Sequence, residues 1–190
     1  ALENSMYDPE ANYIYGVAAR RQGRLSDAKE TLGWAARSLE FRSMAYTQLA
    51  EIAVFEKDPD RAVHYADLAL AADQDNLSAR EVRAVAYRKS GASSLAMDAL
   101  SGLVGLDPLD HIAYFERYLL DPDEAALANF KGGIQSELPH ETYLEMALFY
   151  IRLGLAEDAL TLLRQAPAHP EVRAWQAYLT KDSAAAESRK

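Results

Sequence analysis

Three features of the sequence predict an all-α chain of stacked helical hairpins. Ala28, Ala62 and Ala96 recur at a constant spacing of 34 residues, and a fixed period of that length marks a repeat built from two short helices. Alanine, the best helix former, dominates the composition. Runs of β-branched residues alternating with polar ones, which mark half-buried strands, are nearly absent.

The elements follow in chain order. Asp8-Pro9-Glu10 starts the first helix: Asp caps, Pro takes the first helical position and Glu suits the positive end of the dipole. Gly23 stops that helix, since glycine adopts the left-handed C-cap without strain. Ser26 is expected to cap the next helix, which carries Ala28, Leu32 and Ala35 on one face. This first repeat covers about residues 9–42, after a lead-in over 1–8. The second covers 43–76, with Tyr46, Leu49 and Ala50 in its first helix, Asp58-Pro59-Asp60 at the turn and Ala62 and Ala69 in its second. The third covers 77–110 and carries Ala84, Tyr87, Gly91, Ala96 and Leu100, with Pro108 closing its second helix.

The period then slips. The next clear repeat, over 139–170, has Tyr143, Ala147, Tyr150, Gly154, Ala159 and Leu163, and Ala159 lies 63 residues beyond Ala96 where two periods demand 68. The stretch 111–138 is therefore a shortened repeat, with helices near 110–120 and 123–135 around Asp121-Pro122-Asp123, and with Ala126 and Phe130 as its anchors. Gly132 and Gly133 weaken its end. Beyond Pro170, Trp175, Tyr178 and Leu179 form an apolar stripe on a helix over 171–180 that caps the last repeat, and 181–190 reads as a disordered tail.

These positions resemble the tetratricopeptide repeat family from about residue 8 to 180. The resemblance implies an α–α superhelix, a solenoid of about five hairpins plus a C-terminal capping helix. It also implies a concave groove, lined by the first helix of each repeat, that binds a peptide, another protein or another domain of the same chain. On that geometry the groove receives Tyr13, Val17 and Arg20, then Thr47, Glu51 and Val54, then Glu81, Val85 and Arg88, and finally Leu144, Leu148 and Ile151. The N-terminal part is mixed in charge and partly aromatic. The C-terminal part is apolar and wants cover, from the chain's own neighbouring repeat or from a partner. Members that clamp a C-terminal carboxylate use Lys and Asn at positions matching Tyr13, Val17, Gln48, Ser78 and Val82, and neither residue type occurs there. The segment Glu137–Glu145 looks like part of large multidomain bacterial proteins with carbohydrate-related β-rich domains. This makes an accessory packing domain of a larger carbohydrate-active enzyme the alternative function.

Composition narrows the function classes. The hydrophobic fraction is 49%, so the chain is not disordered throughout. The net charge of −9 argues against nucleic acid. No apolar run reaches the length of a membrane span. There are no cysteines, hence no disulfide or thiolate metal site. The chain opens Ala1-Leu2-Glu3-Asn4 without an initiator Met, which leads to the expectation of a piece cut from a longer polypeptide or of a processed product.

Individual residues admit two readings. Arg20, Arg21, Arg88, Lys89 and Arg152 end first helices, where they either complement the helix dipole or form a basic rim for an acidic ligand. Trp34 has polar helical neighbours, so it is either an exposed contact on the convex side or packed against Leu2 to Tyr7. His64, His111, His140 and His169 show no metal-binding spacing, and no metal is expected. Asp121 and Asp123 read as caps. No nucleophile elbow, phosphate loop or dinucleotide fingerprint is present, so the expectation is a binding scaffold with a protein or peptide partner, no cofactor and no enzymatic activity.

Overall fold

The structure is a computed structural model that describes residues 8–187, with side chains described to residue 181. The lead-in over 1–7, including the packing of Trp34 on Leu2 to Tyr7, and the last three tail residues lie outside the described residues. Among the described residues there are eleven α-helices and no strand. They form five hairpins: α1 (Pro9–Arg21) with α2 (Leu25–Ala35), α3 (Arg42–Phe55) with α4 (Pro59–Ala72), α5 (Leu77–Lys89) with α6 (Ser93–Leu106), α7 (His111–Leu120) with α8 (Glu124–Gly133), and α9 (Pro139–Arg152) with α10 (Ala156–Leu163). A single helix, α11 (Pro170–Glu187), follows. The chain divides into two compact units, Ala1–Pro108 with the first three hairpins and Leu109–Lys190 with the rest.

One turn design joins the helices of four hairpins. Gly23, Lys57, Gly91 and Gly154 take left-handed φ values of 74°, 61°, 79° and 71°. The N–H of the following residue then bonds back to the preceding helix: Arg24 to Ala19 O, Asp58 to Ala53 O, Ala92 to Tyr87 O and Leu155 to Tyr150 O, each at 2.9 Å. This closure satisfies carbonyls that would otherwise be orphaned at the helix end. It also corrects the expected cap of the second helix. Arg24 is already tied to α1 and serves as the N-cap of α2, so the helix begins at Leu25 and Ser26 lies inside it, with no side-chain capping bond at that end. Asp8, Asp58, Asn76, Asp110 and Asp123 do cap helices through their side chains.

Cores differ between the units. In the first, Ala19, Ala28, Ala35, Ala45, Ala62 and Ala69 are fully buried, so helices approach closely. Gly16 shows how closely: a Cβ there would stand 2.7 Å from Leu32 Cγ and 2.9 Å from Thr31 Oγ1. In the second unit aromatic rings fill the space. Phe115 lies 5.1 Å from Phe130 and 5.7 Å from Tyr150, and Phe130 lies 5.6 Å from Tyr143, ring centre to ring centre. Of the two expected anchors of α8, Phe130 is fully buried and Ala126 is half-buried.

The shortened fourth hairpin has a different joint. Helix α7 has 10 residues where α1, α3, α5 and α9 have 13 or 14, and it ends at Asp121 with extended backbone instead of a left-handed turn. Pro122 follows, and Asp123 Oδ1 accepts from Ala126 N at 2.6 Å to start α8. In α11 the inward stripe is Val172 and Leu179 with Trp175 half-buried, whereas Tyr178, expected on that stripe, is 59% exposed and stands edge-on to Trp175. Positions 172 and 179 share a face at two-turn spacing, and 178 falls a hundred degrees away. The helix continues to Glu187 through Ala184-Ala185-Ala186, a stretch of the strongest helix former.

Candidate functional site

The first helices of the Ala1–Pro108 unit stand side by side, with α3 touching both α1 and α5. Tyr13, Val17 and Arg20 follow one another along α1 at helical spacing, and the structure brings Arg20 against α3. Arg20 forms an ion pair with Glu51, and its Nη1 also donates to Gln48 Oε1 at 2.7 Å. Both partners are largely withdrawn from water, their side chains being 8% and 2% exposed. Tyr13 is half-buried beside Phe41, with ring centres 5.7 Å apart. Burial pushes its phenol above the usual tyrosine range; the Glu51 carboxylate adds to that push and Arg20 opposes it.

Thr47 is buried within a second polar cluster. Its hydroxyl donates to Ser43 O at 2.8 Å and accepts from Asn76 Nδ2 at 3.1 Å, and the same amide donates to Ser43 Oγ at 2.7 Å. Asn76 Oδ1 meanwhile accepts from Ala79 N at 2.9 Å, so one side chain caps α5 and fastens it to α3. Val54 and Val85 are buried, and Glu81 and Arg88 are half-buried on α5, each with partners within the chain. Leu144, Leu148 and Ile151 lie on α9 in the other unit, where Leu148 is exposed and the other two are half-buried. The twelve positions are thus distributed over two units; of the polar ones on α1 and α3, Arg20 and Glu51 are bonded to each other, and Thr47 is bonded to Ser43 and Asn76.

An open depression of about 400 Å³ lies against α1, lined by Tyr13, Ile14, Val17, Ala18, Arg21 and Gln22. It includes two of the expected groove residues. It also includes Ile14, 59% exposed, which the sequence reading passed over because it lies one position from Tyr13 and off the assumed row. Trp34 is half-buried, with the Arg37 guanidinium 3.9 Å from its ring centre. That contact pairs Trp34 with one of its polar helical neighbours as a cation–π pair.

Two further pairs have no signature in the local sequence. Tyr150 Oη donates to the fully buried Glu116 Oε1 at 2.8 Å, across a separation of 34 residues. His140 and His169 stack with ring centres 3.7 Å apart and planes 24° apart. His111 opens α7 and His140 lies in the first turn of α9; Asp110, not His111, supplies the side-chain cap of α7 through a 2.8 Å bond from Ala113 N. No helix among the described residues is long and apolar enough to cross a membrane.

Helical hairpins of this length, stacked by small residues and joined by left-handed turns, define an α-solenoid. Solved structures share this fold. MamA matches with a TM-score of 0.56 at 14% identity, over 85% of this chain and 90% of MamA. A tetratricopeptide repeat protein from Parabacteroides merdae ATCC 43184 matches with a TM-score of 0.57 at 18% identity, over 90% of this chain and 72% of that one. A substituted form of MamA matches with a TM-score of 0.50 at 18% identity, over 83% of this chain and 94% of its own. The chain therefore has the tetratricopeptide-repeat fold. No family model matches the sequence, and no curated protein matches it.

Proposed function

We propose that the chain is a protein-interaction scaffold whose contact surface centres on α1 in the Ala1–Pro108 unit. The observation that carries this reading is the open depression along α1, floored by Tyr13, Ile14 and Val17 and ended by Arg21 and Gln22. An apolar floor with a cation at one end suits a polypeptide segment that offers an apolar side chain next to a carboxylate or carbonyl. The helices beneath are held by a buried ion pair and a close-packed alanine core, so the receptor side loses little freedom on binding. Solenoids present extended faces of this kind to protein partners, which supports the general reading. We assign no reaction to the chain.

The test compares two charge insertions on exposed apolar residues, Ile14→Asp on α1 and Leu148→Asp on α9, after photo-crosslinking from position 14 has identified a partner. Ile14→Asp is expected to weaken binding about tenfold or more, with Leu148→Asp near wild type. Loss with Leu148→Asp alone would place the contact on α9 and overturn the proposal.

A further inference from the structure

We propose that His140, His169 and Glu171 form a binding site for a divalent transition-metal ion of the zinc class. One nitrogen from each imidazole and one carboxylate oxygen lie within 4.8 Å of one another. A tetrahedral ion bound at about 2.0–2.1 Å holds its ligand atoms roughly 3.4 Å apart, so each pair closes by no more than about 1.5 Å, within reach of side-chain rotation. Two imidazoles and one carboxylate are a borderline-soft set suited to zinc, and three protein ligands leave a fourth position for water or a partner's group.

The backbone that presents these groups is restrained. His140 follows Pro139 in the first turn of α9, and His169 precedes Pro170, its carbonyl accepting the Arg173 N–H at 3.1 Å as α11 begins. Proline fixes φ at both places and limits the residue before it. A separate observation concerns the same residue: His169 Nδ1 is buried and has no hydrogen-bond partner within the described residues. A buried polar atom left unpaired is costly, and water or an ion is the usual remedy. The two rings stack 3.7 Å apart and 24° from parallel, so their in-plane lone pairs run side by side, and binding requires the rings to turn toward the ion.

The electrostatics are opposed but favourable in sum. Two helix N-termini each contribute about half a positive charge. Against them stand the full charges of Glu171 and Glu141, the acidic first-turn residues of α11 and α9, on a chain of net charge −9. With no cysteine present, thiolates cannot compete for the ion.

The experiment is calorimetric titration of the whole, tag-free chain with Zn²⁺, repeated with Co²⁺ to record its visible absorption. One equivalent of Zn²⁺ is expected to bind, with intense visible bands in the Co²⁺ form and a higher melting temperature at saturation. His169→Ala, His140→Ala and Glu171→Gln should each weaken binding about tenfold or more. Glu171 is exposed, so its variant folds irrespective of any packing role of the two histidines. His64→Ala, an exposed histidine elsewhere, should leave affinity unchanged. The proposal is overturned if wild type takes up no Zn²⁺, or if Glu171→Gln binds as wild type does, or if His64→Ala loses as much as the site variants.

Discussion

Lys57 occupies a position that glycine holds in three other hairpins. Its φ of 61° matches the 74°, 79° and 71° of Gly23, Gly91 and Gly154, and it lies 34 residues from both Gly23 and Gly91. A non-glycine residue in the left-handed region carries a steric cost of about 1–2 kcal/mol, partly offset because glycine loses more entropy on folding. Lys57→Gly is therefore expected to stabilise the chain by about 1 kcal/mol, read as a higher denaturant midpoint with an unchanged slope. This feature was legible in the sequence, since the period that aligns the glycines also shows where one is missing. Ser26 teaches the opposite lesson. Its side chain is a good cap, yet the preceding turn is so short that Arg24 is already committed to the cap position.

Between elements, the joint of α1 and α3 rests on Arg20 and Glu51. Taken as groove residues in the sequence, they face each other, and neither is open to solvent. Removing one partner strands the other charge in a desolvated place, which typically costs 3–5 kcal/mol, whereas replacing both by apolar groups is often close to neutral. Arg20→Ala is thus expected to destabilise by about 3–5 kcal/mol, and Arg20→Met with Glu51→Leu by much less. Equilibrium denaturation of the single, the reverse single and the double variant measures the coupling; additive losses would show that the two side chains do not depend on each other. The helices themselves were legible, because capping residues, prolines and the apolar period are local signals. The pairing was not, because spacing along one helix says which residues share a face but not which neighbouring face they meet.

At the scale of the whole molecule, among the described residues each unit holds one tyrosine that burial keeps protonated beyond the usual range: Tyr13 in the first and Tyr143 in the second. Glu51 reinforces the effect at Tyr13. Such a group retains its proton in the folded chain at a pH where the unfolded chain has lost it. The unfolded state then binds fewer protons, so stability falls as pH rises above about 10, the ordinary tyrosine value, and is unaffected well below it. Denaturant midpoints between about pH 8 and 10.5 should decline in wild type, and Tyr13→Phe and Tyr143→Phe should each flatten the decline. A slope identical in both variants and wild type would exclude these tyrosines as its source.

The sequence by itself determined the fold class and the run of helices. Alanine content, the 34-residue period, the Asp and Asn caps and the glycines at helix ends act within a turn or two of the chain, and they set local structure wherever they occur. Only the tertiary structure decided which side chains meet: Arg20 with Glu51, Tyr150 with Glu116, His140 with His169, and the division at Pro108. Those pairs lie about thirty residues apart, between neighbouring hairpins for the first two and across the last hairpin for the third. Their contact depends on how the side chains between them fill space, closely with alanine in the first unit and widely with aromatic rings in the second.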